Sequence, residues 1–103
     1  MKRSRKYQDE LIESLKDEEE AVAYLNAAWE ECLKGEEESQ HLFLLALRNV
    51  AEAQGGKSNL AKKTHLRREQ IYHTLSSDGN PELKTFMTLI RGLDLIPNFR
   101  RAV

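Results

Sequence analysis

Apolar residues in this chain recur at helical spacing, with no sustained alternation of the kind a strand needs. Tyr7, Leu11 and Leu15 repeat every four positions, and Val22, Leu25, Trp29 and Cys32 step by three or four. Phe43, Leu44, Leu47, Val50 and Ala51 continue the pattern, as do Leu83, Phe86, Ile90 and Leu93. Such periodicity predicts an all-α fold, a compact bundle of short amphipathic helices. Asp78-Gly79, a dipeptide that can close a hairpin, lies between helical patterns and does not alter that reading.

The punctuation between the stripes predicts where helices begin and end. Asp17 can cap a helix whose first turn, Glu18 to Glu20, suits the positive end of the helix dipole. Gly35 ends that helix. The next starts near Glu37 or Ser39 and stops at Gly55-Gly56. Leu42 to Leu47 is apolar nearly all round, so this helix is expected to be the most buried. Ser58 can cap a short helix, a turn falls near Thr64-His65-Leu66, and Ser76 to Gly79 reads as a loop. Asn80-Pro81-Glu82 reads as a cap, a proline at the first helical position and an acidic first turn. Pro97 stops the last helix at the latest, leaving residues 98–103 as a frayed tail.

Length and composition narrow the class. The chain has 103 residues, 40% of them hydrophobic, which suits one folded domain. The basic opening Met1 to Lys6 is followed by polar residues, not by the apolar run of a secretory signal. No stretch approaches the ~18 apolar residues of a membrane span. Cys32 is the single cysteine, so no internal disulfide can form. These features predict a soluble, cytoplasmic protein. His41, His65, His73 and Cys32 lack the close paired spacing of a metal site, and no nucleophile-and-base pattern or phosphate-cradling glycine loop is present. Neither a cofactor nor an enzymatic activity is expected.

Charge is unevenly spread. The net of −1 divides into 6 Lys/Arg against 12 Asp/Glu over residues 1–39, and 10 against 5 over residues 40–103. One part would repel nucleic acid; the other can approach it.

Within the basic part, residues 58–75 form two short helical patterns around a turn. Ala61 is small where two such helices would cross, Leu66 can pack beneath the turn, and Ile71, ten places after Ala61, can plug the core. This spacing predicts a helix-turn-helix, whose second helix lies in the DNA major groove. Arg67, Arg68, Glu69, Tyr72 and His73 then point outward, with Arg68 the best candidate for a bidentate guanine contact. Lys57, Ser58, Lys62 and Lys63 are candidates for the phosphate backbone. The competing account treats the lysines as a solvated face, Arg68 as the partner of an acid such as Glu69, and Tyr72 and His73 as rim packing.

Gly55-Gly-Lys-Ser-Asn-Leu-Ala-Lys-Lys-Thr64, Gln70-Ile-Tyr-His-Thr-Leu-Ser76 and Gly79-Asn-Pro-Glu-Leu-Lys-Thr85 resemble the addiction-module antidote proteins. These are HigA-like antitoxins with a phage-repressor-type, lambda-repressor-like helix-turn-helix. Leu11 to Ala28 and Phe43 to Ala53 extend the resemblance, which covers roughly residues 7–95. It implies a homodimer that represses its own promoter on a palindromic operator in double-stranded DNA and neutralises a small basic RNA-cleaving toxin. Two departures stand out: His65 occupies a turn position where the family usually has glycine, and Arg67 stands where Asn or Ser would cap the second helix.

The expected organisation is an acidic N-terminal helical extension over 1–38 for the toxin, a DNA-binding domain over 39–97 and a tail over 98–103. Trp29 is expected in the core, with partner contact as the alternative. Two other functions stay open: a free-standing phage-type repressor, and a protein-interaction module that no longer touches DNA.

Overall fold

The computed structural model describes residues 5–76 and 78–102. Residues 1–4 of the basic opening, Ser77 of the loop and Val103 of the tail lie outside the described residues. Six helices follow in order: α1 (Arg5–Ser14), α2 (Glu18–Cys32), α3 (Glu37–Ala53), α4 (Gly56–Thr64), α5 (Arg68–Thr74) and α6 (Leu83–Gly92). No strand occurs among the described residues, as the periodicity predicts.

The central helix is α3. It buries Phe43, Leu44, Ala46, Leu47, Val50 and Ala51, with α2 along one side and α1 and α4 against others. Leu42 and Leu45 lie on its exposed face, so the apolar run is not buried all round. Leu15, Leu47, Leu60, Ile71, Leu75 and Leu89 are the largest fully enclosed side chains, and they tie α3 to α4, α5 and α6 in one core. Polar contacts fix the first helices on α3. The Asn49 side chain donates to the Tyr24 hydroxyl at 3.0 Å and accepts from Gln8 at 3.0 Å. Gln54 donates to the Leu15 carbonyl at 2.9 Å, satisfying a backbone group just past the end of α1.

Asp17 caps α2 as expected, its carboxylate accepting from the Glu20 amide at 3.1 Å. α3 starts at Glu37 and ends before Gly55-Gly56, also as expected, but two other starts differ from the sequence reading. The helix expected to start at Ser58 starts at Gly56, with Gly55 before it at φ 113°, so Ser58 lies exposed inside the first turn. A Cβ on Gly55 would lie 2.8 Å from the Asn59 amide, and this close approach lets only Gln54 and Gly55 separate α3 from α4. The last helix starts at Leu83, not at Pro81; Glu82 takes the cap position in extended conformation and gives no side-chain cap.

Two stripes hold except at one end. On α2 Leu25 is buried and Cys32 packs against the core, but Ala21 is buried in place of Val22; on α6 Ile90 is buried with Phe86 and Leu93 packed against the core, but Leu83 is exposed and Leu89 is buried as well. Trp29 is packed yet 39% exposed: it meets Phe43 edge-on at 5.0 Å and stacks on Phe86 at 6.4 Å.

Candidate nucleic-acid interface

Helices α4 and α5 are separated by a three-residue turn, so residues 58–75 are not one rod. His65 makes the turn at φ 62°, in the left-handed region that histidine tolerates better than most side chains. Its amide donates to the Ala61 carbonyl at 2.9 Å. Thr64 supplies what the sequence reading overlooked. Its hydroxyl donates to the Leu60 carbonyl at 2.8 Å and accepts from the Leu66 amide at 3.2 Å, bridging the break. Arg67 occupies the cap position of α5 in extended conformation, without a side-chain cap.

Beneath the turn, Leu60, Ile71 and Leu75 are enclosed, with Ala61 and Leu66 packed against them. α6 seats on α4 at Gly92, where an added Cβ would lie 2.5 Å from Thr64 Cγ2 and 2.9 Å from Leu60 Cδ1. Burial of Ile71 and Thr74 fixes the rotation of α5 and leaves Arg68, Glu69, Gln70, Tyr72 and His73 exposed along its outer side. Arg67 is exposed beside them.

The expected contact residues fall into distinct environments. Ser58 and Lys62 are exposed on α4. Lys63 is exposed but paired, its ammonium 2.6 Å from the Asp94 carboxylate at the end of α6. Among the described residues, neither Arg67 nor Arg68 forms an ion pair, so the expected alternative of Arg68 held by Glu69 does not occur. Lys57 departs most. Its side chain is only 4% exposed, its ammonium lies 2.9 Å from Glu52, and it sits over the Tyr72 ring at 4.2 Å. A phosphate oxygen cannot reach it as placed, because burial and the Glu52 carboxylate already occupy that charge. The Arg68 guanidinium carbon lies over the Tyr72 ring as well, at 6.0 Å.

Several residues of this surface went unnoticed in the sequence. Gln70 is exposed in the first turn of α5, beside Arg68 and Glu69, and outward position plus an amide able to pair with adenine were legible from its place next to Ile71. Arg91 joins Lys63 and His65 around a groove between α4 and α6 with a volume of about 200 Å³. Glu52 and Asp94, the acids that hold Lys57 and Lys63, stand outside both short helices and carry no local signal.

Among the described residues no group of three His, Cys, Asp or Glu comes together as a metal would require, and no helix is long and apolar enough to cross a membrane.

A family model described as "Probable addiction module antidote protein" matches residues 6–100. An uncharacterised protein of Haemophilus influenzae Rd is 36% identical over 86 residues, 84% of this chain and 81% of its own length. No solved structure matches. A match of this extent settles the family: the chain belongs to the addiction-module antidote proteins.

Proposed function

We propose that this protein is the antitoxin of a bacterial toxin–antitoxin pair. In this reading it represses its own promoter through a lambda-repressor-like helix-turn-helix and neutralises a small basic RNA-cleaving toxin in the cytoplasm. The observation that carries the DNA-binding part is the outer side of α5. Arg67, Arg68, Glu69, Gln70, Tyr72 and His73 are exposed there while Ile71 anchors the helix, and both arginines are free of acidic partners. Such a helix laid in the major groove brings its first residues to base edges, with Arg67, Lys62 and Ser58 near phosphate. A homodimer would set two copies of α5 roughly 34 Å apart, on the two halves of a palindrome. Lys63 joins the phosphate contacts only by exchanging Asp94 for DNA.

The toxin is assigned to the acidic α1–α2 region within residues 1–38. Glu18, Glu19, Glu20, Glu30 and Glu31 are exposed on α2, and an acidic surface steers a basic partner toward it. Trp29 on that helix and Leu33 at its C-terminal cap, both exposed large apolar residues, offer the anchors that charge alone does not.

The paired change Arg67→Ala with Arg68→Ala tests the first part, using fluorescence anisotropy on a duplex carrying the chain's own promoter. Affinity should fall and the salt dependence flatten; unchanged values would remove direct readout by α5. For the second part, the neighbouring reading frame is expressed with and without this chain. Growth arrest relieved by this chain is expected. An unrelated, harmless neighbour would leave a free-standing repressor.

A further inference from the structure

Lys57 is the most buried cation placed at the α4–α5 surface, and the DNA-binding reading above leaves it without a task. We infer that Lys57 is a positioning residue: held by Glu52, it fixes the Tyr72 ring, and the ring in turn holds Arg68 in the orientation that reads a base. The inference rests on the DNA-binding reading and deepens it by naming what gives α5 its selectivity.

The geometry runs through three helices. Glu52, in the last turn of α3, receives the Lys57 ammonium at 2.9 Å, and Lys57 belongs to the first turn of α4. The ammonium lies 4.2 Å from the centre of the Tyr72 ring, within the range where a cation is drawn to a π face. Burial strengthens that attraction, because little water competes for the ammonium. Tyr72 is itself 44% exposed, so the ring meets the buried ammonium and still reaches the surface. Arg68 is four residues earlier on α5, one helical turn away, and its guanidinium carbon lies 6.0 Å from the same ring centre.

The consequence is for selectivity, not for charge. The Glu52 carboxylate balances the Lys57 charge, so Lys57 displaces no counterion from DNA. A guanidinium resting on a fixed ring has fewer rotamers to lose on meeting guanine than one swinging free in water. Arginine's planar fork discriminates only when its plane is aligned with the base edge. Lys57 therefore acts on base choice from beneath the surface, while Lys62 and Arg67 act on affinity for any duplex.

The test uses Lys57→Met, which keeps the aliphatic stem and removes the charge; Glu52 is partly exposed and returns to water, so the fold is retained. A duplex selected from a random pool by the wild-type chain is compared with a scrambled one, each over a salt series. Lys57→Met should lower the preference for the selected duplex roughly 3- to 20-fold. The slope of log affinity against log salt should stay unchanged. Tyr72→Leu should do the same, and Lys57→Arg should restore most of the preference. In the free protein, the NMR signal of the Arg68 Nε–H should report a rigid side chain in the wild type and a mobile one in Lys57→Met.

A slope flattened by ~0.9 in Lys57→Met would make Lys57 a phosphate contact and overturn the inference. An unchanged preference, or an Arg68 signal equally rigid in both chains, would reduce Glu52–Lys57 to a structural ion pair. If the wild-type chain prefers no duplex, the DNA-binding reading fails instead; the NMR measurement needs no DNA and shows whether the clamp exists regardless.

Discussion

The α2–α3 pair and the α4–α5 pair reach stability by different means. Helices α2 and α3 have 15 and 17 residues, long enough for helical propensity to help, and α3 alone buries eight residues. Helices α4 and α5 have nine and seven, short of the roughly 12–15 residues at which an isolated helix is even marginal in water. They hold their shape through a few enclosed anchors and through the bridged turn at Thr64 and His65. The long pair spreads its support over many residues. The short pair concentrates it beneath one side, and so leaves the other side of α5 free of structural duty.

If that contrast is right, the short pair is the fragile one. The largest effect is expected from Ile71→Ala, at about 2–5 kcal/mol in urea denaturation, because the residue is fully enclosed. A loss below 1 kcal/mol would mean that α5 is held by something else. Gly92→Ala should follow, costing about 1–3 kcal/mol as its methyl group meets Thr64 and Leu60. Next comes the long pair. Asn49→Ala deletes the hydrogen bonds to Tyr24 and Gln8 and should cost about 1–2 kcal/mol, with α4 and α5 unmoved in amide chemical shifts. The smallest effect has the opposite sign: His65→Gly should raise stability by about 0.5 kcal/mol, since glycine takes the left-handed turn freely. A loss of stability there would show that the His65 side chain contributes to the turn.

Helix type was readable from spacing, and so were the Asp17 cap, the break near His65 and the inward placement of Ile71 and Leu75. Helix phase was less so. Ala21 and Val22 are adjacent apolar residues, and only packing against α3 decides that Ala21 turns inward; on α6 Leu89 is buried beside Ile90, while Leu83 is exposed. The starts of α4 and α6 were misplaced because Ser58 and Pro81 are good local signals that lost to the backbone at Gly55 and Glu82. In the candidate interface, the outer side of α5 followed from its period. The fates of Lys57 and Lys63 did not, since Glu52 lies across a helix break and Asp94 is 31 residues away. A charged residue's partner is a property of the assembled bundle, not of its neighbours in sequence.

Gly92 brings one more consequence. The Leu60 and Thr64 side chains fill the space where a Gly92 side chain would stand, so α6 contributes only backbone at this point of its crossing with α4. Stiffness follows: the two helices should rock as one body, and side chains along α4 should keep their distance from α6 through thermal motion. Hydrogen exchange at the Leu60 and Ile90 amides would then report a single shared opening, and two unrelated rates would reveal a looser joint.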